Sequence, residues 1–110
     1  MAETLEIKFK DLALTELSRE EGAVFRTLIL QLWAQCEQIV LDFSCVDFLS
    51  VSFLDEAVGK IFLTKPSDEV YNKLKICNLS DSNSSILKSV ASARMRQALD
   101  REELVNNIQA

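Results

Sequence analysis

Two serines, Ser50 and Ser52, stand one residue apart in a stretch that also carries Asp42, Asp47, Asp55 and Glu56. A hydroxyl where a loop passes into a helix can cap that helix by accepting a backbone N–H, and one serine suffices for this. The other is left as a candidate phosphoacceptor, since a phosphate there meets backbone N–H groups that the helix leaves unpaired. Ser52 is the first choice and Ser50 the second. Carboxylates such as these four can hold a hard cation like magnesium. They are also the residues expected at a strand end and in the first turn of a helix, where they complement the helix dipole. That structural role is the expected one, with no metal site and no cofactor. The chain has no histidine, which removes Ser-His and Cys-His nucleophilic pairs, histidine zinc sites and the commonest general base. Its two glycines, Gly22 and Gly59, lie in helical patterns and form no phosphate-cradling loop. No enzyme is expected.

The elements that must position the serines follow from periodicity. Ile39, Val40 and Leu41 form an apolar run that suits a strand covered on both faces. The crevice beyond the C-terminal end of such a strand is where sites form in open α/β folds, so the site is expected between Asp47 and Glu56. Upstream, Leu5, Ile7 and Phe9 alternate with polar residues as a first strand, with a bend, bulge or turn at Asp11. Ser18-Arg19-Glu20-Glu21 has the form of a capping box. Phe25, Leu28, Ile29, Leu32, Trp33 and Cys36 then recur at helical spacing, giving a helix from about 19 to 35. Leu54, Ala57, Val58, Ile61 and Phe62 share one face of a second helix, about 52 to 63. That face is already full, so Phe53 is expected to be partly exposed, an aromatic beside a modifiable serine and a hint of a protein-binding surface. Residues 65–68 read as a loop at Pro66. A third strand falls within 72–78, a turn at 80–85 and a third helix at 83–98, with Arg94, Arg96 and Arg101 clustered near its C-terminal end, where cations are favoured. Residues 99–110 read as a C-terminal extension that either frays or forms a short amphipathic turn. Strand–helix alternation of this kind implies a mostly parallel sheet with right-handed crossovers.

The totals agree with one globular domain. The chain has 110 residues, 48% hydrophobic and 26% charged, with a net charge of -5. An acidic balance argues against nucleic acid, whose backbone is bound by clustered Lys and Arg. The opening MAETLEIK lacks the pattern of a signal peptide. The most apolar helical segment, 23–36, is interrupted by Arg26, Gln31 and Gln35, so no membrane span and a cytoplasmic location are expected. Cys36, Cys45 and Cys77 have no C-x-x-C spacing and are expected as free thiols in a reducing compartment, each a small core residue.

IVLDFSCVDFLSVSFLDEAVG resembles the central segment of STAS domains, the sulfate-transporter and anti-sigma-factor-antagonist fold. In that family a strand ends in an apolar-Asp-apolar pattern, and Asp-Ser-Ser-Gly-Leu opens a helix. The nearest likeness is to a small bacterial STAS-like branch of unassigned function, and it covers roughly residues 5 to 98. It implies a mixed, mostly parallel sheet of four to five strands, with about three helices mainly on one face and a further strand at 12–15 or none. By position, Ser52 falls on the serine that anti-sigma-factor antagonists present for phosphorylation. Ser50 stands where the family has aspartate, and Phe53 where it has glycine. The resemblance implies a non-enzymatic regulatory module, with Asp47, Phe48, Leu49, Ser50, Val51, Phe53, Asp55 and Glu56 as the partner-binding set. The implied partner is a protein such as an anti-sigma-factor-type serine kinase or a histidine-kinase-like ATPase. The alternative is a STAS-like sensor of a nucleotide or small molecule.

Overall fold

The computed structural model describes residues 3–12 and 17–109. Strand β1 (Thr4–Lys8) leads into a 3-10 turn at Phe9–Asp11. Helix α1 (Arg19–Leu32) follows, then a 3-10 turn at Trp33–Gln35 and strand β2 (Gln38–Asp42). Helix α2 (Val51–Leu54) runs through a π-helical turn (Asp55–Gly59) into α3 (Ile61–Thr64). Helix α4 (Ser67–Lys73), strand β3 (Leu74–Cys77) and helix α5 (Asp81–Gln109) complete the order.

The three strands form a parallel sheet in the order β1-β2-β3. Right-handed crossovers that always step the same way put both connections on one side of the sheet. The register agrees with this. Leu5, Ile39 and Leu74 align across the strands, as do Ile7, Leu41 and Ile76, and all pack into or against the core. The opposite face carries Glu6, Lys8 and Lys75 in solvent, with Val40 only half-buried between them. The expectation that β2 is covered on both faces is therefore corrected: Ile39 and Leu41 are buried completely, Val40 is not.

The sheet is smaller than expected, with three strands among the described residues rather than four or five, and all of them parallel. The further strand considered at 12–15 lies mostly outside the described residues; Leu12 itself is a bend that closes the 3-10 turn. Two helical expectations also change. Helix α4 occupies part of what reads as a loop, because Pro66 precedes the helix instead of interrupting it, and Asp68 and Glu69 fill its first turn. Helix α5 begins at Asp81 and does not stop near 98 but runs to Gln109. Its start is fixed by Ser80, whose hydroxyl accepts from the Asn83 amide at 3.1 Å.

The core is aromatic at its centre. Phe9 stacks on Phe43 with ring centroids 4.1 Å apart, and contacts Phe25 at 4.5 Å and Phe53 at 5.9 Å. Trp33 is core, as its place on the α1 stripe predicts. Its indole donates to Glu69 at 2.8 Å, and the Lys73 ammonium donates to the carbonyls of Trp33 and Cys36, so α4 is tied to the end of α1. The three cysteines are free. None is a fully buried core residue, and Cys45 is exposed at a positive φ of 67° in the turn after β2, which corrects that expectation.

Candidate functional site

Residue 43 onward leaves the sheet through a turn that Asp42 organises. Its Oδ1 accepts from the Ser44 amide at 2.9 Å, the Ser44 hydroxyl at 2.6 Å and the Asn78 side-chain amide at 2.8 Å. The Asn78 and Ser44 donors hold the carboxyl well below the ordinary range, at about 2. This carboxylate is thus consumed by the loop, as the structural reading of the acidic residues predicts. Among the described residues no cluster of His, Cys, Asp or Glu is arranged to hold a metal ion.

The loop then surfaces and dives. Asp47 is exposed, and its carbonyl accepts from the buried Asn83 side chain at 3.4 Å. Phe48 is 76% exposed, whereas the next residue, Leu49, is fully buried and anchors the loop to the core. Ser50 is the helix cap: its hydroxyl accepts from the Phe53 amide at 3.0 Å and donates to the Leu17 carbonyl at 3.1 Å. Val51 is 56% exposed. Ser52, in the first turn of α2 and half-buried, caps nothing. Its hydroxyl receives a 3.3 Å hydrogen bond from the Arg19 guanidinium. Of the two serines, then, Ser50 caps the helix and Ser52 does not, its hydroxyl being bonded to Arg19 instead.

Several residues of the expected partner-binding set prove to be interior. Phe53, expected to be partly exposed, is 0% exposed and belongs to the aromatic core. The reason is that the run from 51 to 64 is not buried on one face only. It packs against α1 on one flank and α5 on the other, so Phe53, Leu54, Glu56, Ala57, Val58 and Gly59 are all buried. Leu49 and Glu56 are likewise unavailable to a partner in this conformation. The members of the set left at the surface are Asp47, Phe48 and Val51, with Ser50 and Asp55 half-buried.

Glu56 is the buried hub beneath Ser52. Arg19 and Lys60 each reach its Oε1 at 2.6 Å, and Arg26 reaches its Oε2 at 2.9 Å and its carbonyl as well. The Lys60 ammonium, helped by Arg26 and Arg19, holds the Glu56 carboxyl down to about 2 against the opposing effect of burial. The neighbouring Asp55 has a different principal partner. Arg94 of α5 grips it with two bonds, Nε to Oδ1 at 2.8 Å and Nη2 to Oδ2 at 2.6 Å. This lowers the Asp55 carboxyl below its ordinary range and raises the Arg94 guanidinium. Arg19 lies 3.8 Å from Asp55 as well and so touches both carboxylates and Ser52.

Gly22 makes this proximity possible. A Cβ there would lie 2.9 Å from the Glu56 Cβ and 2.9 Å from the Phe53 carbonyl, so only glycine lets α1 cross so near to α2. The cations are what sequence reasoning missed. Arg19, Gly22 and Arg26 share one face of α1 by their spacing, and Glu56–Lys60 is an i, i+4 pair, so part of the signal was present. That these two sets meet is a tertiary fact.

A comparison against protein families bears on the fold. Residues 21–84 match the model described as STAS-like domain of unknown function (DUF4325), and the chain belongs to that family. No curated protein and no solved structure matches the chain significantly. Among the described residues, no helix is long and apolar enough to cross a membrane.

Proposed function

We propose that this chain is a non-enzymatic regulatory module that docks a protein partner at the loop 47–51, and that phosphorylation of Ser52 switches the docking off. The observation that carries the reading is the division between the serines. Ser50 is spent on the helix cap, while Ser52 is partly exposed, uncommitted to any cap, and next in sequence to the exposed Val51. Phe48 and Val51 supply apolar side chains of the kind that anchor an interface. Asp47 supplies a charge at its rim. The STAS-like membership supports a partner resembling an anti-sigma-factor-type serine kinase or a histidine-kinase-like ATPase, acting from the cytoplasm of a bacterium. In such a pair the γ-phosphoryl group of the kinase's nucleoside triphosphate passes to the Ser52 oxygen. The nucleoside diphosphate leaves, and the hydroxyl proton goes to a base of the kinase.

Affinity capture with the wild-type chain, S52D and F48A tests this. Wild type should retain a partner kinase that both variants lose. Equal recovery by S52D and wild type would overturn the switch, and equal recovery by F48A would overturn the docking surface.

A further inference from the structure

The charges beneath Ser52 do not balance. Among the described residues, the ion pairs there join four cations to two carboxylates. Arg19 and Arg26 come from α1, Lys60 from the turn before α3 and Arg94 from α5, and they meet Asp55 and Glu56 of the π turn. Two positive charges are left over. The four cations are also not equivalent. Arg26, Lys60 and Arg94 are 22%, 31% and 23% exposed in their side chains, whereas Arg19 is 50% exposed. Arg19 is also the cation bonded to the Ser52 hydroxyl.

Removing Arg19 from the cluster strands nothing. Glu56 would keep Arg26 at 2.9 Å and Lys60 at 2.6 Å, and Asp55 would keep both bonds from Arg94. A buried carboxylate left alone would be heavily penalised, and here none is. A guanidinium binds phosphate through two parallel N–H donors. A phosphoserine carries roughly -1.5 to -2 charges at neutral pH, about the charge the cluster lacks.

We propose that Arg19 is a phosphate latch: when Ser52 carries a phosphate, the Arg19 guanidinium leaves Glu56 and closes on it, while Arg26 and Lys60 keep Glu56 paired. This rests on the reading of Ser52 as the phosphoacceptor. It adds that the modification fastens the start of α1 to the start of α2 instead of loosening the domain. The modified chain is then the more stable one, and the switch acts by changing the charge and shape of the surface, not by unfolding it.

The test needs no kinase. Phosphoserine is placed at position 52 by genetic encoding in the full chain, in the wild-type background and with R19Q, R19K and a distant control, R101Q. Phosphorus NMR then follows the second ionisation of the phosphate. An unperturbed phosphoserine ionises near about 6. Contact with Arg19 should bring it to ~5.5 or below in the wild type and in R101Q, and R19Q should return it to about 6. R19K should fall between, since it keeps the charge and loses the paired donors. Thermal unfolding should show the phosphate raising the melting temperature with Arg19 present and not in R19Q. An ionisation near about 6 in the wild type, or one equally lowered in R19Q, overturns the latch. Should R19Q fail to fold, the R19K comparison decides in the same way. The outcomes separate this inference from the switch. A lowered ionisation with undiminished partner capture refutes the switch and keeps the latch. Lost capture with an ionisation indifferent to Arg19 does the reverse.

Discussion

Asp42 and Glu56 are both held at about 2, and by opposite means. At the end of β2, Asp42 is surrounded by neutral donors, the Ser44 amide and hydroxyl and the Asn78 side chain. Beneath Ser52, Glu56 is surrounded by three cations. The arrangement at Asp42 draws least on counter-charge, which comes from Lys8, so it responds only weakly to salt and has little to offer another anion. The ionic arrangement is salt-sensitive where it reaches solvent at Arg19, severe to break at its buried centre, and over-supplied with positive charge. The first region is a fastening, and the second is a fastening that can also respond.

The sharpest way to break this contrast is at the hub. E56Q keeps the shape of the side chain but leaves Arg26 and Lys60 partly buried without a carboxylate. It should lower unfolding free energy by about 3 kcal/mol, read from the denaturant midpoint. A loss no greater than that of an ordinary surface substitution would mean that the cluster is ornamental.

A smaller effect separates the two serines. S50A removes the hydroxyl that caps α2 and bonds Leu17, and should cost about 1 kcal/mol. S52A removes a hydroxyl that caps nothing, and should stay within roughly 0.5 kcal/mol of wild type. Equal losses would undo the assignment of roles.

Acid and salt probe the same contrast from another side. Unfolded, these carboxyls take up protons near their ordinary values, 3.8 for Asp42 and 4.5 for Glu56; folded, both do so only near 2. The unfolded state therefore binds more protons between these limits. The stability they confer is complete above about pH 4.5 and is lost as pH falls toward about 2. D42N should remove its share of that acid dependence and change the response to added salt only slightly. E56Q should weaken both. A salt response equal in E56Q and wild type would erase the distinction between the two carboxylates.

Much of the framework was legible because it is local. The capping signal at Ser18 marks the start of α1, where the hydroxyl accepts the Glu21 amide at 3.2 Å. The apolar run at 39–41 marks β2, and Ser50 marks the start of α2. What was not legible depends on partners distant in sequence. Phe53 reads as surplus to a one-faced helix, yet it is buried because α1 and α5 flank that helix on two sides. Arg19 and Arg26 lie 37 and 30 residues before Glu56, and no local pattern records that they meet it. Arg94 reads as a cation suited to a helix end, whereas its structural role is to grip Asp55. The tail of α5 shows the opposite limit. Leu99, Leu104 and Ile108 are exposed, so no packing marks where that helix should stop, and the apolar spacing alone does not reveal its length.

The π turn has a consequence for tolerance to length change. The Lys60 amide reaches back five residues to the Asp55 carbonyl at 2.9 Å, the signature of one residue beyond the regular helical count. The widened turn absorbs that residue, so deleting Ala57 should restore ordinary winding with the helix beyond it still facing as before. A deletion in the regularly wound α1 would instead turn everything after it by about 100°. A deletion scan should therefore find position 57 more forgiving than the middle of α1.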